Sequence, residues 1–170
     1  MIAAVIASVV LVIATILTLY ETLRFTSNHL AELPLPPRAR IIVVVLAAFV
    51  GHSLAVWTYA FAYWALADRL GGFGGLPVDD FLDCLYFSAV TYTSLGFGDH
   101  VPLSHVRLIA GVEGLNGLLL IGWSASFTYL AMERYWPMHE ARHSRSRRGR
   151  RGASADGSAR TVAMPPRSSD

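Results

Sequence analysis

The chain has 170 residues, of which 54% are hydrophobic and 15% charged, and its mean hydropathy is +0.44. An ordinary soluble domain carries about 25% charged residues, and here the apolar residues gather in long runs, so the composition points to a membrane protein. The single cysteine, Cys84, excludes an intrachain disulfide and a multi-cysteine metal site, and the net charge of +2 hides a strong asymmetry: all 14 basic residues are Arg, eight of them in residues 139–170, whereas residues 68–106 carry five Asp against Arg69 alone.

Residues 2–19 are almost wholly apolar and close at Tyr20, Glu21 and Arg24. At about 1.5 Å per residue they just cross a hydrocarbon core, so an N-terminal transmembrane helix is expected over 1–24. A cleaved signal peptide is the competing reading, but no basic residue precedes the run and it exceeds a typical apolar signal region. Residues 25–40, with Pro34, Pro36, Pro37, Arg38 and Arg40, read as a short cytoplasmic linker. A second span is expected over 41–67, with Trp57, Tyr59, Tyr63 and Trp64 gathered at its C-terminal end as at a membrane interface. Gly71-Gly72-Phe73-Gly74-Gly75 reads as a flexible loop.

Pro77 and Asp79-Asp80 mark a helix start. The helix expected over 79–91 is too short to span and reads as re-entrant, which is tolerated at membrane depth only inside protein or beside water. Thr91-Tyr92-Thr93-Ser94-Leu95-Gly96-Phe97-Gly98-Asp99 follows at once. A third span is expected over 106–136, ended by Pro137. Residues 137–170, rich in Arg, Ser, Gly and Ala, read as a disordered cytoplasmic tail. The two basic regions are separated by two crossings, so Arg placement puts the N-terminus outside, the tail inside and residues 68–106 on the outer side of the cell (inner) membrane.

The run at 93–99 suits ion coordination. A potassium ion sheds its water only where oxygens replace it at similar spacing and field strength, which a row of backbone carbonyls supplies. Such a backbone needs positive φ at alternate residues, and Gly96 and Gly98 adopt it at little steric cost. Ser94 adds a hydroxyl at the inner end. The preceding helix aims its negative C-terminal end at the cavity, which favours cations there.

Ser94-Leu95-Gly96-Phe97-Gly98-Asp99 resembles the TVGYG-type filter signature, and Ile41 to Trp136 resembles a small prokaryotic potassium channel of the two-transmembrane, pore-loop superfamily with one extra N-terminal span. The resemblance implies an all-α membrane fold: an outer helix (41–67), a pore helix, a filter (93–99) and an inner helix (106–136), in a homotetramer. It implies potassium sites formed by the carbonyls of Ser94, Leu95, Gly96 and Phe97 and by the Ser94 hydroxyl, on a strand continued by Gly98. Thr93 and Asp99 support that strand, Tyr86 and Phe87 occupy positions of cuffing aromatics, and Gly117 occupies the hinge position of the inner helix. The chain departs from the signature at Ser94 (for Thr), Leu95 (for Val or Ile) and Phe97 (for Tyr). At Val90 some relatives carry a Glu that pairs with the filter aspartate, so Asp99 is expected to lack that partner.

Glu113 and Asn116 lie one turn apart in the third span. Glu113, an ionisable residue in a span, is a functional candidate, and it reads chiefly as a buried group that bonds the back of the pore helix or a neighbouring span, a support for the filter. His52 reads as a packed, hydrogen-bonded residue, while His100 and His105 flank the outer mouth. Asp79, Asp80 and Asp83 both cap a helix and raise the local cation concentration. Arg142, Arg145, Arg147, Arg148, Arg150 and Arg151 suit anionic lipid headgroups. Nucleic acid is not expected, since no stacking aromatics interleave with them. No nucleotide loop, metal cluster or triad pattern points to an enzyme, and no cofactor beyond permeant potassium is implied. The expected function is a potassium-selective channel. A weakly selective cation channel and a non-conducting membrane anchor or assembly subunit remain as alternatives.

Overall fold

A computed structural model describes residues 1–32 and 34–133 of the chain. It contains α1 (Ile2–Glu32), α2 (Pro37–Leu70), β1 (Phe73–Gly75), α3 (Phe81–Tyr92) and β2 (His100–Pro102), followed by α4 (Val106–Glu133). Three of the helices are long and apolar enough to cross a membrane: Ile2–Leu30, Arg38–Leu70 and Val106–Glu133. The expected tail and residues 134–136 of the third span lie outside the described residues.

α1 does not stop near Arg24; it runs through half of the expected linker. Leu19, Leu23 and Leu30 recur on one face and are buried against α2, with Leu30 packed on Val44. Packing thus prolongs the helix beyond the purely apolar run. The hydroxyls of Thr18, Thr22 and Thr26 each donate to the carbonyl one turn back, at 2.7–2.8 Å, so they need no other partner in lipid. α2 starts with Pro37 in its first turn. At Gly51 α1 and α2 touch: a Cβ there would lie 2.6 Å from Leu19 Cδ1.

α3 is set by its cap. Asp80 accepts from Asp83 N–H, and the Asp83 carboxylate accepts from the N–H groups of both Asp79 and Asp80. The second of the two paired aspartates is therefore the N-cap. The glycine run expected as a flexible loop is instead half of a two-stranded antiparallel ribbon, β1 pairing with β2 in the register Phe73↔Pro102, Gly74↔Val101, Gly75↔His100. Gly75 is required there: its φ is +88°, and a Cβ would meet the Asp99 carbonyl oxygen at 2.3 Å. The ribbon fastens the outer end of the 93–99 run to the end of α2.

α1 rests on α2 and α4 together. Thr15 meets Asn116, and Tyr20 stacks on Trp123 with ring centroids 6.4 Å apart. The main core joins α1, α2, α3 and α4 around Leu11, Tyr59, Tyr63, Phe87, Val106 and Ile109. The aromatic group expected at a lipid interface therefore divides. Trp57 and Trp64 are exposed, while Tyr59 and Tyr63 are fully buried, because their hydroxyls have partners on α4.

Candidate functional site

Along 93–99 the backbone alternates. Ser94, Gly96 and Gly98 have φ of +59°, +58° and +81°, and Leu95 and Phe97 between them are not in the left-handed region. Ser94 is the costly member, since a left-handed residue with a Cβ gives up about 1 kcal/mol. Gly96 and Gly98 have open space where a Cβ would sit, so only their φ demands glycine. Leu95 and Phe97 are 63% and 66% exposed, so the described residues do not cover their side chains.

The run is anchored at both ends. At the inner end Thr93 caps α3, its hydroxyl donating to Ala89 O at 2.7 Å, and the N–H groups of Ser94 and Leu95 return to Thr91 O and Val90 O. At the outer end the Tyr86 hydroxyl donates to Asp99 Oδ2 at 2.7 Å, and Asp99 Oδ1 accepts from His100 N–H at 3.1 Å. Val90 is no partner for Asp99, as expected, but Asp99 does not lack one, because Tyr86, one turn earlier on α3, takes that place. The hydroxyl bond from Tyr86 holds the Asp99 carboxyl below its ordinary range, and the same bond pushes the Tyr86 phenol up. Phe97 stacks on the Tyr86 ring, centroids 6.4 Å apart and planes 4° apart.

The other residues expected around the run divide once they are placed. Phe87 turns away from it, edge-on to Tyr63 and Phe73, so of the two expected cuff aromatics only Tyr86 reaches Asp99 and Phe97. His100 is nearly buried, with Nδ1 3.1 Å from the Leu76 carbonyl oxygen, whereas His105 Nδ1 lies 3.0 Å from its neighbour Ser104 Oγ. Gly117 lies against the end of α3: a Cβ there would be 2.1 Å from Tyr92 O. Contact with main chain thus accounts for a glycine at 117 without any bending of α4.

Behind the run lies a buried polar network. Glu113 is fully buried, and its two oxygens accept from Tyr63 at 2.5 Å and Ser88 at 2.6 Å, while the Ser88 hydroxyl also lies 2.9 Å from Val56 O. One turn along α4, Asn116 Nδ2 donates to Thr15 at 2.8 Å and to Tyr59 at 3.2 Å. All three long helices and α3 are joined at the depth of the motif. Glu113 and Asn116 are conspicuous in an apolar span, but their partners lie 25 to 101 residues away. No local pattern pairs them, so Tyr63, Ser88, Tyr59 and Thr15 escape a sequence reading.

A groove of about 610 Å³ runs beside the motif, lined among others by Tyr86, Val90, Ser94, Gly114, Leu115 and Leu118. Among the described residues no cluster of His, Cys, Asp and Glu is arranged to hold a metal ion by side chains.

Residues 40–134 match a protein family described as ion channel. Two-pore potassium channel 1 of Arabidopsis thaliana is 32% identical over 99 residues, which cover 55% of this chain and 25% of that one. The chain thus spans about a quarter of that relative's length. No solved structure matches.

Proposed function

Because the chain belongs to this ion channel family, we propose that it forms a potassium-selective channel in which several copies, four by the geometry such a filter needs, surround one axis. Each copy contributes the carbonyls of Ser94, Leu95, Gly96 and Phe97 and the Ser94 hydroxyl to the ion sites. The observation that carries this reading is the alternation of left-handed residues at 94, 96 and 98. It turns neighbouring carbonyls to one side of a strand, the arrangement that replaces an ion's water shell. Potassium as the ion agrees with the name of the plant relative.

Assembly with copies of itself agrees with what the chain leaves bare: the groove beside Ser94, and Leu115, Leu118 and Leu119, 56–65% exposed on α4. In the assembly Asp99, Tyr86 and Thr93 hold the filter, Glu113 and Phe87 fix the packing behind it, and Gly117 lets α4 approach α3 and bend. The protein is placed in the cell membrane with the β1–β2 ribbon outside and the Arg-rich tail on the cytoplasmic face, against anionic headgroups. No cofactor and no catalysis are needed.

The test is ion flux from liposomes carrying the purified protein, under potassium and then sodium gradients. Potassium flux at least about tenfold above sodium is expected, and Gly96→Ala or Gly98→Ala is expected to abolish that preference while the protein stays folded. Equal fluxes of the two ions overturn potassium selectivity. Absence of flux in an assembled oligomer favours the anchor role.

A further inference from the structure

His52, at mid-height on α2, uses both ring nitrogens on other helices: Nδ1 lies 2.8 Å from the Tyr92 hydroxyl and Nε2 2.8 Å from Ser124 Oγ. Tyr92 is the last residue of α3, immediately before Thr93 and the filter strand, and is 1% exposed. Its ring also sits edge-on to the imidazole. Ser124 is on α4, about two turns beyond Gly117. Tyr92 is thereby gripped twice by the same helix, through its carbonyl against Gly117 and through its hydroxyl by way of His52 and Ser124. The contacts form a closed circuit, and α4 cannot bend or rotate between 117 and 124 without releasing one of them.

The circuit has a direction. Ser124 Oγ also lies 3.0 Å from Ile121 O, and with its one hydrogen given to that carbonyl it offers only lone pairs toward His52. Nε2–H of His52 must then donate to Ser124, and Nδ1 must accept from the Tyr92 O–H. We infer that His52, as the neutral Nε2–H tautomer, is a positioning residue that makes the register of α4 part of what holds the filter base. It touches no permeant ion and acts through Tyr92. The inference rests on the filter reading for its effect on ion preference, but the circuit itself is open to a separate measurement.

Two experiments test it on the full-length protein in liposomes. Tyr92→Phe and Ser124→Ala each remove one oxygen and leave the packing intact. Each is expected to lower the potassium-to-sodium flux ratio by at least about threefold, and the double variant no further, because both cut one circuit. His52→Leu is expected to match them, and His52→Gln, which still donates and accepts, to recover most of the ratio. A normal ratio in Ser124→Ala, additive losses in the double variant, or no recovery with Gln overturns the inference. Side-chain ¹⁵N NMR, with the His52 signals assigned by their loss in His52→Gln, is expected to show the Nε2–H tautomer with Nδ1 accepting. A tautomer mixture overturns the circuit. A wild-type flux ratio near one overturns potassium selectivity instead, and the tautomer measurement then decides the circuit alone.

Discussion

Tyr86 holds Asp99 at the end of the proposed filter run through its hydroxyl. Its hydroxyl bond depresses the Asp99 carboxyl, so the ionised pair contributes above the ordinary carboxylate range and is lost as pH falls through the depressed value. Tyr86→Phe removes the main cause, and Asp99 then takes up its proton at higher pH. Flux measured with equal pH on both faces of the membrane is expected to fail at a higher pH in Tyr86→Phe than in the wild type. An unchanged profile would detach Asp99 from conduction. Behind the filter, Glu113→Leu keeps the volume but strands the buried Tyr63 hydroxyl, a loss of about 1–3 kcal/mol, whereas Glu113→Gln keeps one acceptor and is expected to lose less. Thermal unfolding in detergent is the measurement. The left-handed glycines at 96 and 98 and the burial of Glu113 were legible from residue types, whereas the part expected of Asp99 came from the family resemblance. Tyr86 was legible as an aromatic near the filter and not as the partner of Asp99, because that bond depends on α3 returning its side chain to the loop 13 residues later.

Among the elements, α3 was the most legible, since its aspartate cap and the motif are contiguous in sequence. The β1–β2 ribbon was the least. Its strands have three residues each, one holds two glycines, and the other lies about 25 residues away, so neither alternation nor β propensity reveals it. α1 was underestimated in length because hydropathy registers what faces lipid and not the Leu23–Leu30 face laid on α2. Gly117 shows how one position serves two elements. Gly117→Ala drives a methyl into Tyr92 O, and overpacking of this kind costs about 1–3 kcal/mol. A lowered unfolding temperature together with a lowered potassium-to-sodium flux ratio is expected. Normal stability with only reduced opening would instead assign Gly117 to bending alone.

At the scale of the whole molecule, three helices long enough to cross a membrane were predictable because a hydrocarbon core sets that length, while the way they close on one another was not. The faces of Leu95, Phe97, Leu115 and Leu118 are exposed among the described residues, and the proposed assembly covers them. Native mass spectrometry from mild detergent is expected to give four copies, and a monomer that still conducts would overturn the assembly. Deleting residues 139–170 is expected to leave potassium flux in place, because the match to the ion channel family covers residues 40–134 and does not include them; loss of flux on deletion would make the tail part of the pore's function.

The bond between Asn116 and Thr15 joins residues 101 positions apart, and it bears on how the protein is made. The Thr15 hydroxyl donates to Leu11 O at 2.8 Å, so α1 enters the membrane with its own polar group already satisfied and an oxygen still free to accept. Asn116 follows on α4, and its amide meets oxygens of two other helices, Thr15 on α1 and Tyr59 on α2. Along this sequence both acceptors, Thr15 and Tyr59, therefore precede the donor, so α4 docks its amide on oxygens that α1 and α2 already present.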